Sequence, residues 1–285
     1  MRKTIILLST LLSLAACAPG GQKVMARFVP ERSDDFIFEN DLVCGRIYGQ
    51  ALEGNPTSPG IDIWVKTPGA LVADQRYKDE LENGKTYHKD WGNGKDCYKV
   101  AVSLGGGASV PVIENEFCYP ATNYRSWEIL EQGPLKVVFA LHYPEWEAGA
   151  GINVSLDKKI TVTAGTYFCK VEDTYCFTGA DSLQIAAGVF RHAAQETMEQ
   201  EFVGADRYAI WEHASDQSVE PEDGMLGVAV YMPGAWYAGL SPDESHGICL
   251  KTVAPSETLT YYFGNCWSKG NLKTCEDWFS LVEAL

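Results

Sequence analysis

Leu135-Lys136-Val137-Val138-Phe139-Ala140-Leu141-His142-Tyr143 and then Ile152-Asn153-Val154-Ser155-Leu156-Asp157-Lys158-Lys159-Ile160-Thr161-Val162 decide the fold class. Both stretches are rich in Val, Ile and aromatic side chains, which suit a pleated, half-buried surface, and both read as long β-strands. The same texture extends outward in both directions. Towards the C-terminus, Tyr167 to Phe177, Leu183 to His192, Tyr208 to His213, Met225 to Met232, Gly247 to Val253 and Thr258 to Phe263 read as strands. Towards the N-terminus, Ile61 to Lys66 reads as a strand, and Phe36-Ile37-Phe38 with Leu42 to Tyr48 reads as a hairpin turning at Glu39-Asn40-Asp41. Gly, Pro, Asn and Asp break the runs. Regular short strands with turn signals between them point to an all-β sandwich or barrel. The one clear helix signal is at the end: Thr274 as N-cap, Glu276 and Asp277 in the first turn, and Trp278, Phe279, Leu281 and Val282 as an apolar face. No internal repeat, low-complexity tract or later linker divides the chain, so one large domain is the simplest organisation.

The first residues read as an address. Arg2 and Lys3 precede an apolar run from Ile5 to Leu14, too short to span a hydrocarbon core of roughly 30 Å as a helix. Leu14-Ala15-Ala16-Cys17 resembles a bacterial lipobox, which predicts a signal peptide over 1–16 and lipid attachment at Cys17. Residues 17–26 would then be a lipidated tether. The expectation is an exported lipoprotein held by lipid alone on the outer or inner membrane, in the periplasm or at the cell surface. The formal net charge is −15, and removing Arg2 and Lys3 makes the mature chain more negative still. That charge argues against nucleic acid and anionic lipid as partners, while a local cationic pocket remains compatible with an anionic substrate.

Beyond Cys17 stand eight cysteines, an even number that leaves disulfides open. Their wide spacings and strand-like surroundings suit buried thiols equally well. No Cys-x-x-Cys pair suggests a zinc ribbon, and a metal site from His192, His213 and His246 has no recognised spacing. The sequence requires no cofactor. Gly-x-Ser-x-Gly is absent, which speaks against an esterase-type serine hydrolase.

Tyr77 to Tyr124 departs from the strand rhythm. It is long, Gly-rich and dense in polar and aromatic residues, and it reads as loops on a β scaffold, where sites usually sit. Gly105-Gly106-Gly107 reads either as a close approach of backbone to ligand or as a mobile loop.

Several motifs in order carry a resemblance. They are Arg27-Phe28-Val29-Pro30-Glu31-Arg32, Gly60-Ile61-Asp62-Ile63-Trp64-Val65-Lys66, Tyr87-His88-Lys89-Asp90, Asp96-Cys97-Tyr98-Lys99-Val100, Asn123-Tyr124-Arg125, Glu131-Gln132-Gly133-Pro134-Leu135, Cys266-Trp267-Ser268-Lys269-Gly270 and Glu276-Asp277-Trp278. Together they resemble the bacterial family called domain of unknown function 4861, over residues 27–285. The resemblance implies a Bacteroidota protein of polysaccharide utilisation. It also implies a single large β-sandwich (a supersandwich like those of galactose mutarotases and polysaccharide lyases), found beside enzymes that hydrolyse unsaturated glucuronyl groups.

Such a context directs attention to uronate-containing oligosaccharides. A β-elimination needs a base for the C5 proton, a cation or acid beside the carboxylate, and a donor to the departing group. The residues from His88 to Arg125 contain all three. His88 and Tyr98 are candidate base or acid, and Arg125 is a candidate carboxylate clamp. Lys99 is a second cation, and Trp91, Tyr124 and Trp127 are candidate stacking rings, with His192 ending an apolar strand nearby. The expectation is a lyase or dehydratase with these residues in one concave cleft. The alternatives are a glycoside hydrolase with Asp90 and Asp96 as its carboxylate pair, which would need a separation of about 5–5.5 or 6.5–9.5 Å, and a non-catalytic glycan-binding lipoprotein.

Overall fold

The computed structural model describes residues 21–54, 60–192, 200–214 and 223–285. The expected signal peptide over 1–16 and Cys17 lie outside the described residues. The N-terminal part holds β1 (Val24–Val29), β2 (Asp35–Asn40), β3 (Cys44–Ile47), β4 (Ile61–Lys66), α1 (Ala73–Glu82) and β5 (Gly94–Asp96). The middle holds β6 (Gly106–Ile113), β7 (Glu116–Phe117), β8 (Ser126–Gln132), β9 (Lys136–Gly149), β10 (Ile152–Thr163), β11 (Phe168–Thr178) and β12 (Leu183–Phe190). The last part holds β13 (Gln200–Val203), β14 (Arg207–His213), β15 (Met225–Tyr231), β16 (Tyr237–Leu240), β17 (His246–Val253), β18 (Thr258–Trp267) and α2 (Cys275–Glu283). The fold is all-β with a short C-terminal helix, as expected. α1, inside the stretch read as loop, is an addition. β1 starts at Val24, within the tether expected over 17–26, because Val24 and Ala26 are buried on the inner face of the first sheet.

One layer is an eight-stranded sheet in the order β13-β14-β15-β18-β11-β10-β9-β8. The other layer is two five-stranded sheets, β1-β2-β3-β4-β5 and β16-β17-β12-β6-β7. A parallel bridge between Ile61 and Gly105 sets these edge to edge. Both face the same side of the eight-stranded sheet. Phe263 of β18 meets Phe38 of the first five-stranded sheet edge-on at 5.9 Å, and it also occupies the space beside Gly107 of the second.

Strand alternation builds the core between the layers. On β10, Val154, Leu156, Ile160 and Val162 point inward and are buried, while Asp157 points out and is exposed. Each such apolar side chain contributes about 1.5–3 kcal/mol by leaving water. The outer faces are covered where they are apolar. α2 lays Trp278 flat on Phe168 of the eight-stranded sheet, with centroids 5.5 Å apart. It begins with a capping box between Thr274 and Asp277. α1 covers the outer face of the first sheet, with Tyr77 against Trp64 at 5.1 Å.

The eight described cysteines are all free, and most are buried. Gly105-Gly106-Gly107 is neither a mobile loop nor an approach to ligand. It leads into buried β6, where a Cβ on Gly106 would strike Ile63 and one on Gly107 would strike Phe263. The close approach is that of the protein to itself.

Candidate functional site

The contacts distribute the expected site residues among three neighbourhoods. In the first, Tyr124, Arg125 and Trp127 sit at the start of β8. Tyr124 is buried, and its hydroxyl donates to the Asp34 carbonyl at 2.6 Å. Arg125 forks onto Glu53, with Nη2 at 3.0 Å from Oε2 and Nη1 on Oε1. That pairing holds the Glu53 carboxyl below its ordinary pKa. Trp127 stacks on Phe28 at 5.5 Å, with one side left exposed. The guanidinium expected to clamp a substrate is thus already clamped by the chain itself.

The second neighbourhood joins Tyr98, Lys99 and His192. Tyr98 is 1% exposed, and its hydroxyl faces two carbonyls, Gly105 at 3.0 Å and Phe190 at 3.1 Å. A hydroxyl surrounded by acceptors has no proton to spare for a substrate, and burial raises its pKa far above the ordinary tyrosine value. Tyr98 is therefore a packing residue. His192 meets the Tyr98 ring edge-on at 4.6 Å. Its Nδ1 lies 2.7 Å from buried Glu212 and its Nε2 lies 2.8 Å from the Lys99 carbonyl. Both ring nitrogens face acceptors, so Glu212 and the Lys99 carbonyl hold the ring from two sides. The Lys99 side chain is exposed.

His88 and Trp91 form the third neighbourhood, in the connection between α1 and β5. Beneath them, the outward-facing residues of the first sheet are charged. Arg46 of β3 lies across from Asp62 of β4, with its Nε 2.9 Å from Oδ2 and its Nη2 on the same oxygen. Nη2 also reaches Asp96 Oδ2 at 2.9 Å, and Nη1 approaches Asp35 Oδ2 at 3.6 Å. Tyr48 donates to Asp62 at 2.9 Å. Tyr87 accepts from Arg32 Nε at 3.0 Å and from Arg46 Nη1 at 3.4 Å. Three buried carboxylates share one buried guanidinium, and each leaves its Oδ1 without a partner among the described residues. Burial raises the pKa of Asp62 to about 7 and that of Asp35 to about 6, and it raises that of Asp96 as well.

His88 stands at the mouth of this network, its side chain 37% exposed. Nδ1 is 3.3 Å from the Asp96 carbonyl, which can only accept, so Nδ1 carries the proton. Nε2 is left as a lone pair with no hydrogen-bond partner among the described residues. Burial keeps the pKa of the ring below the ordinary histidine value, so it is neutral at pH 7. A neutral imidazole with a fixed tautomer and an open nitrogen is the arrangement a general base requires. Trp91 is 53% exposed, its indole N–H tied to the Thr86 carbonyl at 2.9 Å. Asp90 and Asp96 are not a facing pair. Asp90 accepts from the Gly92 and Gly94 amides, and Asp96 is wholly buried against Arg46.

A cavity of about 320 Å³ opens elsewhere, beside β7 and β17, with walls from Phe117, Tyr119, Phe190 and His246. Asp243, Ser245 and His246 are hydrogen-bonded there, but in an order that disables nucleophilic catalysis. His246 Nε2 accepts from the Leu104 amide at 3.1 Å, so Nδ1 carries the proton and donates it to Ser245 Oγ at 2.6 Å. Ser245 in turn donates to Asp243 at 2.7 Å. A serine needs to give its proton to the histidine, and here the histidine has no lone pair to receive it. Burial pushes the pKa of His246 down to about 4, consistent with a neutral, structural ring.

Reading the residues alone did not single out Arg46, Asp62 and Asp35. The signal available was the polar alternation of Asp62 and Lys66 with Ile61, Ile63 and Val65, which marks a strand with one non-apolar face.

A family model described as a domain of unknown function, DUF4861, matches residues 17–285. An uncharacterised protein, P7, of Formosa agariphila is 28% identical over 258 residues, spanning 86% of this chain and 62% of that protein. A crystal structure of a 4-α-glucanotransferase from Thermococcus litoralis superposes with a TM-score of 0.37 and 11% identity, over 86% of this chain and 39% of that one. That likeness is too distant to transfer a residue or an activity.

Proposed function

We propose a function for this chain, which belongs to the family described as domain of unknown function DUF4861: it acts on uronate-containing oligosaccharides by β-elimination, as a lyase or dehydratase. It works from a lipid anchor at Cys17, in the periplasm or at the cell surface, on the outer or inner bacterial membrane. The observation that carries the chemistry is His88, with Nδ1–H held by the Asp96 carbonyl and Nε2 open on a half-exposed ring. In the reaction, Nε2 takes the C5 proton, the C5–H electron pair becomes the C4–C5 double bond, and the C4–O bond breaks. The imidazolium then returns its proton to the departing oxygen. Trp91 offers a pyranose ring a stacking surface in the same connection. A second reading, a non-catalytic glycan-binding module, is favoured by one fact: Tyr98 and Arg125 are already engaged by the chain itself.

Incubation with glucuronate- and galacturonate-containing oligosaccharides, followed by ultraviolet absorbance of the unsaturated uronate, tests the first reading. His88→Ala should lower the rate on the order of 10²-fold or more, the usual loss for a general base. Its fold should be unchanged, since the His88 imidazole hydrogen-bonds only to a backbone carbonyl and comes no nearer than 3.7 Å to a charged side chain. Full activity in His88→Ala removes it as the base. Saturable glycan binding without turnover by the wild-type protein establishes the binding module instead.

A further inference from the structure

Beside the Trp91 ring lies a small cavity lined by Arg76, Asp79, Lys85, Lys89, Trp91 and Asn93, among others. Arg76 is buried, 5% exposed. One nitrogen, Nη2, donates to the Val65 and Asn93 carbonyls, at 3.0 and 2.8 Å. Nε and Nη1, both closed to water, have no hydrogen-bond partner among the described residues, and no carboxylate among them lies within ion-pair distance of the guanidinium. A buried cation whose hydrogen bonds go to neutral carbonyls is costly, and burial lowers the Arg76 pKa even though the Trp64 ring lies 5.8 Å away and Glu39, Asp96 and Asp90 act on it from a distance. The Lys85 and Lys89 ammonium groups stand 5.7 and 5.3 Å from the centroid of the Trp91 ring. Asp79 is the one acid lining the cavity among the described residues. Among the described residues that line it stand three basic side chains and one acid, in a chain of net charge −15.

Size decides what part of a ligand enters. The cavity holds about 30 Å³, roughly two water-sized spheres. That accommodates the head of a carboxylate or a sulfate ester and not a sugar ring. A ring attached to such a head must lie outside, where Trp91 is exposed.

From this geometry we infer that the cavity is an oxyanion subsite. It takes the charged group of an acidic sugar near Arg76, flanked by Lys85 and Lys89, while the pyranose stacks on Trp91. The subsite deepens the reading of the chain as a protein of uronate glycans and rests on it for the sugar, while its own claim is the anion. It also moves the cationic contact from Arg125 and Lys99 to residues on α1 and in the connection that follows it.

Titration calorimetry of the purified protein with glucuronate, glucose 6-sulfate and glucose tests the subsite. Arg76→Gln is unsuitable alone, because Arg76 also holds the Val65 and Asn93 carbonyls, so the exposed lysines carry the test. Wild-type protein should bind at least one of the two anionic sugars in preference to glucose, and the preference should weaken as salt is raised. Glucuronate alone identifies a carboxylate site, glucose 6-sulfate alone a sulfate site, and binding of both a general oxyanion site. Lys85→Gln with Lys89→Gln should weaken the anionic ligand on the order of tenfold, and Trp91→Ala should weaken it as well. Anionic sugars bound no better than glucose overturn the inference, as does anion binding unchanged in the double lysine variant. Failure of the catalytic reading looks different: preferential anion binding without turnover keeps the subsite and discards the eliminase, whereas turnover with lysine-independent binding does the reverse.

Discussion

Two of the strand-to-strand ion pairs buried among the described residues have contrasting surroundings. In the eight-stranded sheet, Lys158 of β10 lies across from Asp173 of β11, between the two layers. Its Nζ is 2.6 Å from Asp173 Oδ2 and 3.3 Å from the Tyr261 hydroxyl, while Ser109 donates to the same carboxylate oxygen from the opposite layer. One cation meets one acid, and nothing nearby is open to water. In the first five-stranded sheet, Arg46 lies across from Asp62, but two further acids crowd it, and the network ends at a half-exposed histidine. The balanced network is sealed, and the unbalanced one reaches the surface. A sealed, matched pair can stabilise only the arrangement of its own core. A network with surplus acids and a raised pKa can hold a proton at neutral pH and has a route by which to exchange it.

The largest expected effect would break the sealed network. Lys158→Met leaves Asp173 buried without its cation and should cost about 3–5 kcal/mol in chemical denaturation. Adding Asp173→Leu should restore much of that loss, since a matched apolar pair suits a dry core. A Lys158→Met protein as stable as wild type would mean that water reaches the pair after all, and the contrast would fail.

A smaller effect sharpens the open network. Asp62 has a folded-state pKa of about 7 against an ordinary 3.8, so the folded protein keeps a proton that the unfolded chain has released. Stability should therefore fall as pH rises through that window, by up to about 1.4 kcal/mol per pH unit for one proton. Asp62→Asn, which mimics the protonated acid, should flatten this slope when denaturation midpoints are compared between acid and neutral pH. An unchanged slope would place the proton elsewhere.

The smallest effect compares two hydroxyls. Tyr261→Phe takes an acceptor from Lys158 in a sealed space and should cost about 1–3 kcal/mol. Tyr87→Phe takes one from Arg32 and Arg46 near the surface, where water can substitute, and should cost less than about 1 kcal/mol. Equal losses would show that the two networks are equally dry.

Much of the sandwich was legible because strand texture is local. The Ile61–Lys66 strand, the hairpin before it, the long β9 and β10 and the capped C-terminal helix are all written in adjacent residues. α1 was not legible, and the reason is specific. Its N-cap residue, Val72, offers no side-chain cap. The cap comes instead from Glu39, more than thirty positions away, whose carboxylate accepts from the Val72 and Ala73 amides at 2.8–2.9 Å and from Lys66 Nζ at 2.6 Å. A helix start supplied across such a distance leaves no trace in its own sequence. The site was legible in part for the same reason. His88 and Trp91 lie in the connection that was singled out. Arg125 and Tyr98 carry the right chemistry, but Glu53 and the Gly105 and Phe190 carbonyls, which no spacing rule anticipates, occupy them.

The placement of β18 has a consequence for the order in which the chain can fold. β1 to β5 neighbour one another in sequence order, so that sheet can close from local contacts as soon as it is made. The eight-stranded sheet cannot. Its central seam is Thr258–Trp267, paired on one side to β15 and on the other to β11. Until that last strand arrives, the sheet exists as two separate halves with bare inner edges, open to pairing with another chain. Folding of the larger layer is therefore gated by β18, and a chain lacking Thr258–Trp267 would have an intact first sheet beside two unjoined, aggregation-prone ones.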